Sequence, residues 1–359
     1  MSVRLIKVLV CSGAVFLLAA QEPPAKQEPL PSDTIIRVPV TNVLAPTSVI
    51  DKNDGTIVTG LRADQFRLFD NAKQQKIKVD EQIHPLSLVV VVQANAADEK
   101  LLPEIMKVGN LVAQVMGEDG EVALLAFDHR VQTLLPFTSE PDKIPVAFQK
   151  LTTGSQTGAV NDATMQAVNM LRTRESNRRR VILLIAETRD YGSSIHLRDV
   201  LTNAEFNNVT IFSVDISHMV TSLTKQPAVG RGTGIPPEAQ HLPAGVIGNP
   251  TIDMQMNNNG NWVPLFTEIF KDIKGIFTGD PLDVYTAYTG GREYHWSVRQ
   301  KALERALEQI GDELHGQYLL SYSPNNQTEA GFHTIVVEVD KPNCEVRTRK
   351  GYWTAARPQ

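Results

Sequence analysis

The stretch that decides the fold is Leu86-Ser-Leu-Val-Val-Val-Val92, which runs directly into Gln93-Ala-Asn-Ala-Ala97. A continuous apolar run of this length is typical of a strand that is buried on both faces of a sheet. The run Val181-Ile-Leu-Leu-Ile-Ala186 has the same character and is followed by Glu187-Thr-Arg-Asp190. Because open α/β folds bind ligands at the carboxyl ends of their parallel strands, the residues after these two runs are candidates for a functional site.

Strands and helical patterns alternate from residue 85 to residue 296, which predicts an α/β domain with a doubly wound, mostly parallel sheet. Glu121–Phe127 and Arg130–Phe137 are predicted to pair as a hairpin. Asp128 and His129 lie at its turn, and we interpret them as surface polar residues. Asp162 is predicted to cap or complement the start of the helix that follows.

Two flanking segments have strand character. Residues 34–84 are rich in β-branched residues, and residues 297–359 contain one amphipathic helix followed by further strand patterns. We predict that the N-terminal and C-terminal strands meet in one β-rich, Ig-like domain beside the α/β domain. Within residues 85–296, the segment 217–262 has little periodicity and is predicted to be a disordered insertion. An apolar stripe at helical spacing over residues 264–277 predicts a helix that packs on the sheet.

The N-terminus is typical of an exported protein. Residues 1–20 have the basic start and short apolar stretch of a signal peptide, and residues 21–33 form a Pro-rich linker. We therefore predict a secreted or periplasmic protein. The alternative of a lipoprotein modified at Cys11 is disfavoured, because bulky Val10 stands where a small residue is expected. Cleavage after residue 20 leaves Cys344 as the one remaining cysteine, so no internal disulfide is expected.

Composition and charge restrict the classes of function to be considered. The chain has 359 residues, 42% of them hydrophobic and 21% charged, as in ordinary globular proteins. The net charge of −5 provides no basic surface for nucleic acid, and no apolar stretch is long enough for a transmembrane helix. The expected partner is a protein or a surface glycan.

The layout resembles the von Willebrand factor A family, most closely its secreted acidobacterial branch. The segment Tyr288-Thr-Gly-Gly-Arg-Glu-Tyr294 and the C-terminal strand patterns are similar to that branch, so the resemblance covers nearly everything after residue 34. The family coordinates one divalent cation through Asp-x-Ser-x-Ser after the first strand, a Thr in the next loop and an Asp after a later strand. The resemblance places these ligands on Gln93, Asn95, Ala97, either Thr157 or Gly158, and either Ala186 or Glu187.

These residues imply a degenerate metal-ion-dependent adhesion site. Mg²⁺ and Ca²⁺ prefer oxygen ligands that include carboxylates, whereas Gln93 and Asn95 offer neutral carbonyls and Ala97 offers no ligand. We therefore expect no metal and no other cofactor. An unconventional set for Mg²⁺ or Ca²⁺ stays open, consisting of Asn95, Asp98, Thr157 and Glu187. The predicted ligand-binding loops carry Asn95, Asp98, Thr157, Asp162, Glu187 and Asp190.

No pattern predicts an enzyme. The eight histidines have no zinc spacing, and Gly154-Ser-Gln-Thr-Gly158 has Gln156 where a nucleophile elbow has its serine. The favoured function is a secreted, non-enzymatic binding or adhesion module that uses the loops above the sheet. One alternative is a structural pseudo-domain that binds through the β domain or the 264–277 helix. A hydrolase that uses the carboxylates of these loops is the third hypothesis.

Overall fold

The apolar runs of the sequence form one six-stranded sheet with five parallel strands and one antiparallel edge strand. Numbered in chain order after four earlier strands, they are β5 (Leu86–Gln93), β6 (Glu121–Phe127), β7 (Val131–Thr138), β8 (Arg179–Ala186), β9 (Val209–Asp215) and β10 (Glu293–His295). Their order in the sheet is β10-β9-β8-β5-β6-β7. Every residue of β5 is buried, as its apolar sequence predicts for a central parallel strand.

The computed structural model describes residues 42–80, 84–217, 280–296, 301–326, 329 and 331–354. The predicted signal peptide, linker and 264–277 helix lie outside these ranges, as does the predicted insertion beyond residue 217. All described residues belong to the compact unit Pro39–Gln359. Within them, no helix has the length and apolar character that crossing a membrane requires.

Helices cover both faces of the sheet. They are α1 (Leu102–Lys107), α2 (Gly109–Met116), α3 (Lys143–Phe148), α4 (Val160–Leu171), α5 (Leu197–Phe206), α6 (Pro281–Thr289) and α7 (Ala302–Gly316). On one face Leu88 and Val90 share a core with α1, α2, α3 and α7. On the other face Val89 and Val91 pack with α4, α5 and α6. The predicted class, a doubly wound α/β fold, is confirmed, because alternate residues of each strand face opposite helical layers.

The remaining strands form two antiparallel sheets that share a separate core. They are β1 (Val43–Asp51), β2 (Phe66–Asp70), β3 (Lys73–Gln75), β4 (Ile77–Asp80), β11 (Tyr318–Tyr322), β12 (Gly331–Val339), β13 (Cys344–Thr348) and β14 (Gly351–Thr354). Their orders are β13-β1-β11-β4 and β14-β12-β2-β3. Both sheets therefore combine strands from before and after the α/β domain, and in the first sheet the two kinds of strand alternate. The Ig-like classification of this β sandwich stays a prediction.

Candidate functional site

The carboxyl ends of β5 and β8 bring Gln93 and Glu187 into contact, because the two strands are adjacent and parallel. Gln93 is fully buried. Its Oε1 accepts the backbone N–H of Glu187 at 3.0 Å, and its Nε2 donates to Oε2 of Glu187 at 3.2 Å. Two of the positions that the family resemblance assigns to metal ligands are therefore bonded to each other.

Asp98 lies in the short 3-10 helix that follows β5, close enough to Glu187 for the two charges to repel each other. Its side chain is completely buried, and neither carboxyl oxygen has a hydrogen-bond partner among the described residues. The backbone N–H of Asp98 donates to Oδ1 of Asn95 at 3.1 Å. Burial, together with the negative charge of Glu187, raises the pKa of Asp98 to about 8. The carboxyl group of Asp98 is thus protonated at neutral pH.

Glu187 is half-buried at the centre of the group. Burial raises its pKa above the ordinary value, and the charge of Asp215 adds to that effect. The hydrogen bond from Gln93 and the charge of Arg189 oppose it. The sequence predicted a loss of carboxylate charge here. The structure retains two carboxyl groups, Asp98 and Glu187, in surroundings that favour their neutral forms.

The loop of residues 152–158 packs against the end of β5. A Cβ atom at Gly158 would lie 3.3 Å from the side-chain amide carbon of Gln93, so this position favours glycine. Thr157 lies against Gly192, and its Oγ1 is 3.5 Å from Oγ of Ser155. The contacts of Thr157 are therefore with the loop after β8 and with its own loop.

Asp128 holds the same loop in place. Its Oδ2 accepts the backbone N–H of Ser155 at 2.8 Å, and its Oδ1 accepts that of Arg130 at 2.7 Å. Burial alone would raise its pKa, but these hydrogen bonds and His129 outweigh burial and lower the pKa to about 2. The interpretation of Asp128 as a surface turn residue is wrong, since it is only 6% exposed. It is an anchor for the 152–158 loop.

Asp162 and Asp190 form a separate hydrogen-bonded group at the start of α4. Oδ1 of Asp190 accepts the backbone N–H of Val160 at 3.2 Å, and its Oδ2 accepts from Nδ2 of Asn161 at 2.6 Å. Oδ1 of Asp162 accepts the backbone N–H of Ile195 at 2.9 Å. Asp190 thus accepts the hydrogen bond from the first turn, whereas Asp162 lies within that turn as an acidic residue, which is the complementary position that the sequence predicted. Both aspartates fasten the loop after β8 to α4.

Two contacts were missed in the sequence. Nδ1 of His129 lies 2.7 Å from Oγ of Ser155, which is the reach expected of a nucleophile and its base. Asp215, Glu293 and His295 also converge at the carboxyl ends of β9 and β10. The available signal for Asp215 was its position directly after the buried run Val209–Val214. Its partners are some 80 residues away, so spacing along the chain does not reveal them.

No model of a protein family matches the sequence, and no curated protein matches it significantly. Solved structures do resemble it. The conserved hypothetical protein BatB from Bacteroides thetaiotaomicron has a TM-score of 0.39 and 13% identity, covering 64% of this chain and 99% of its own. An aerotolerance-related membrane protein from Bacteroides fragilis has a TM-score of 0.40 and 10% identity, with 64% and 98% covered. A von Willebrand factor type A structure from Catenulispora acidiphila has a TM-score of 0.43 and 8% identity, with 88% and 63% covered. Each match is a similarity to a solved structure, and what is established for this chain is the doubly wound α/β fold with its group of Gln93, Asn95, Asp98 and Glu187.

Proposed function

We propose that this chain is an exported, non-enzymatic binding module of the von Willebrand factor A type. It engages a protein or a surface glycan through the loops around Asn95, Thr157 and Glu187, without the divalent cation that the family uses. The observation that carries the proposal is the pair of hydrogen bonds between Gln93 and Glu187. These hydrogen bonds engage the polar side-chain atoms that would otherwise be available to a cation.

The donor set at this place fits a hard cation poorly. The backbone N–H of Glu187 requires the amide oxygen of Gln93 on its side, so the amide N–H₂ of Gln93 points toward the carboxylate of Glu187. A cation between these residues would meet an N–H donor. Mg²⁺ and Ca²⁺ are bound by oxygen ligands, so the N–H₂ group of Gln93 weakens a metal site at this place.

The surrounding loops are suited to binding because they are held in place before a partner arrives. Asp128 fixes the 152–158 loop, and Asp162 and Asp190 fix the loop between β8 and α5. Ordering a loop costs free energy when it occurs during association, and loops that are already ordered avoid that cost. The carboxyl ends of β5, β6 and β8 thereby carry a preorganised polar surface.

The metal-free proposal is tested by titrating the purified chain with MgCl₂ and MnCl₂ in a calorimeter at pH 7.5. We expect that any heat of binding is the same in the unaltered chain and in variants of Asn95 or Asp98. Tight binding that Asn95→Ala or Asp98→Asn abolishes would show that the loops hold a cation after all. The variant His84→Gln, at the other end of β5, controls for unrelated sites.

The binding surface is tested by partner capture from the extracytoplasmic fraction. Charge reversal with Glu187→Lys, combined with Asn95→Lys, is expected to abolish capture. The matched control is Glu118→Lys. Glu118 is exposed and precedes β6, so it lies at the amino ends of the strands, away from the loops under test. Capture that survives the double variant would instead favour the structural pseudo-domain, with contacts on the β sandwich or in residues 264–277.

A hydrolase is the second candidate, and the contact between Ser155 and His129 favours it. However, Asp128 approaches the same ring nitrogen, Nδ1, at 3.1 Å. In a Ser-His-Asp triad the carboxylate binds the ring nitrogen that is remote from the nucleophile. Here both contacts are to Nδ1, so the triad geometry is not present. Ester, peptide and glycoside substrates should therefore give no turnover. Turnover that Ser155→Ala removes would establish the hydrolase instead.

A further inference from the structure

A second polar cluster lies on the edge strand β10 and on its neighbour β9. Asp215 ends β9 and His295 ends β10, and the two residues are register partners in the parallel pair. Glu293 lies two residues before His295, so all three side chains leave the same face of the sheet. Asp280 is the N-cap of α6, and its Oδ1 accepts the backbone N–H of Leu282 at 2.9 Å.

We propose that Asp215, Glu293 and His295 bind a divalent transition-metal cation of the Zn²⁺ or Mn²⁺ class, independently of the proposed binding function. Nδ1 of His295 lies 3.3 Å from Oδ2 of Asp215 and 3.6 Å from Oε1 of Glu293. Ligand atoms about 2.1 Å from a tetrahedral ion are about 3.4 Å apart. The three ligand atoms all lie within 4.8 Å of one another, so small side-chain rotations complete such a site.

The cluster carries more negative charge than its own residues neutralise. Asp215, Glu293, Asp280 and Asp283 act on one another, and His295 is the basic group that opposes them. A bound dication would supply the missing positive charge.

An unpartnered hydroxyl at the base of the cluster is an independent indication of a ligand. Ser213 is completely buried, and its Oγ has no hydrogen-bond partner among the described residues. It lies two residues before Asp215, on the same face of β9, and its register partner on β10 is Glu293. A buried hydroxyl normally finds a partner. The carboxylate of Glu293, once it is turned and ionised by a cation, or a water bound to that cation, would provide one.

The ligand types indicate which cation binds. Imidazole suits Zn²⁺ and the neighbouring transition metals, whereas Mg²⁺ and Ca²⁺ prefer oxygen ligands alone. Three protein ligands leave a further coordination position. The side chain of His295 is 68% exposed, so that position is open to solvent and the ion has a route of entry.

The test is calorimetric titration of the purified full chain with ZnCl₂ and MnCl₂ at pH 7.5, with MgCl₂ as the contrasting ion. We expect saturable Zn²⁺ binding that weakens at least about tenfold in His295→Gln and in Glu293→Gln, the lower end of losses known for disturbed metal sites. The NMR signals of the His295 ring should shift on addition of Zn²⁺.

Two control variants separate this site from others. His129→Gln removes an exposed histidine outside the cluster, and Asp98→Asn removes the carboxyl group beside Gln93. Both should leave Zn²⁺ affinity within about twofold, whereas a loss in Asp98→Asn alone would place the ion at the other group. Circular dichroism checks that each variant is folded. The proposal is overturned if neither ion binds, or if folded His295→Gln and Glu293→Gln bind Zn²⁺ as the unaltered chain does. In that case the cluster is a contact between His295 and two carboxyl groups that holds no ion.

Discussion

Gln93 is hydrogen-bonded to Glu187 through both atoms of its side-chain amide, across the adjacent ends of β5 and β8. The residues are 94 positions apart in sequence. Their contact depends on the parallel register in which Val92 pairs with Ile185, one residue before each strand ends. Hydrogen bonds within the protein therefore connect the ends of β5 and β8, at the place where the family resemblance predicts a metal site.

Replacing Gln93 with leucine should destabilise the fold. Gln93→Leu keeps a similar volume but leaves the N–H and the carboxyl group of Glu187 without their partner. We expect a loss of about 1–3 kcal/mol in the free energy of unfolding, measured by urea denaturation. Gln149→Leu, at an exposed position after α3, should change stability by less than about 0.5 kcal/mol. Equal effects of the two substitutions would show that the link contributes nothing.

Asp98 should make stability fall as the pH rises. Its pKa is 3.8 in the unfolded reference and about 8 in the folded protein, so between these values the folded state holds a proton that the unfolded state has lost. Its contribution therefore decreases with rising pH across this window and levels off above pH 8. Asp98→Asn imitates the protonated form. The free energy of unfolding of Asp98→Asn, relative to that of the unaltered chain, should rise by at most about 1.4 kcal/mol for each pH unit. Urea denaturation at pH 5, 6.5 and 8 measures this difference. A difference independent of pH would contradict the assignment.

Asp128 should stabilise the 152–158 loop at all but very acidic pH. Its folded pKa of about 2 lies below the reference value of 3.8, so its contribution is complete above about pH 4 and is lost as the pH falls through 2. Asp128→Ala leaves the N–H groups of Ser155 and Arg130 unpaired, which should cost about 1–3 kcal/mol. Hydrogen exchange at the amide of Ser155 should accelerate correspondingly. Unchanged exchange would mean that the loop is held by other contacts.

The β sandwich contains a buried pair with its own pH dependence. Nδ1 of His333 lies 2.6 Å from Oδ1 of Asp70, and the hydroxyls of Tyr322 and Tyr352 donate to Oδ2 of Asp70. Burial would raise the pKa of Asp70 and lower that of His333, but the hydrogen bonds prevail and shift both in the opposite directions. The hydrogen bonds therefore favour the charged form of each partner.

The sign of each contribution follows from these shifts. The contribution of His333 is complete below its reference pKa of 6.5 and is lost as the pH rises through its folded value. That of Asp70 is complete above 3.8 and is lost as the pH falls through its folded value. Asp70→Ala should cost about 3–5 kcal/mol, because it leaves a buried partner uncompensated. An NMR titration of His333 should give a pKa above 6.5, and a value below 6.5 would refute the charged pair.

The sheet was predictable because its signal is local. Each central strand is a continuous apolar run, and a run such as Leu86–Val92 has few alternatives to burial between two layers of helices. Helix α2 was equally predictable, since Val112, Val115 and Met116 lie at helical spacing and are buried together. The pairing of β1 with β11 and β13 was only suspected, since contacts across more than 250 residues leave no periodicity in the chain.

The candidate site was predictable in position but not in chemistry. Strand ends identified Gln93, Asn95 and Glu187, and the following loop identified Asp98. Their protonation depends on burial and on the distance between charges, which no local pattern contains. For the same reason Asp128 was interpreted as a surface residue although it is an anchor.

From its amino acids alone, this chain specifies a buried parallel sheet, and the loops after its strands lack the ligand residues that are usual in the family it resembles. Apolar periodicity and side-chain chemistry are properties of each segment, so they can be recognised from the sequence of that segment alone. Only the tertiary structure decides that Gln93 is bonded to Glu187, that Asp98 is a neutral acid, and that Asp215, Glu293 and His295 share one corner. Hydrogen bonds and pKa values arise from neighbours in space, and here those neighbours come from distant parts of the chain.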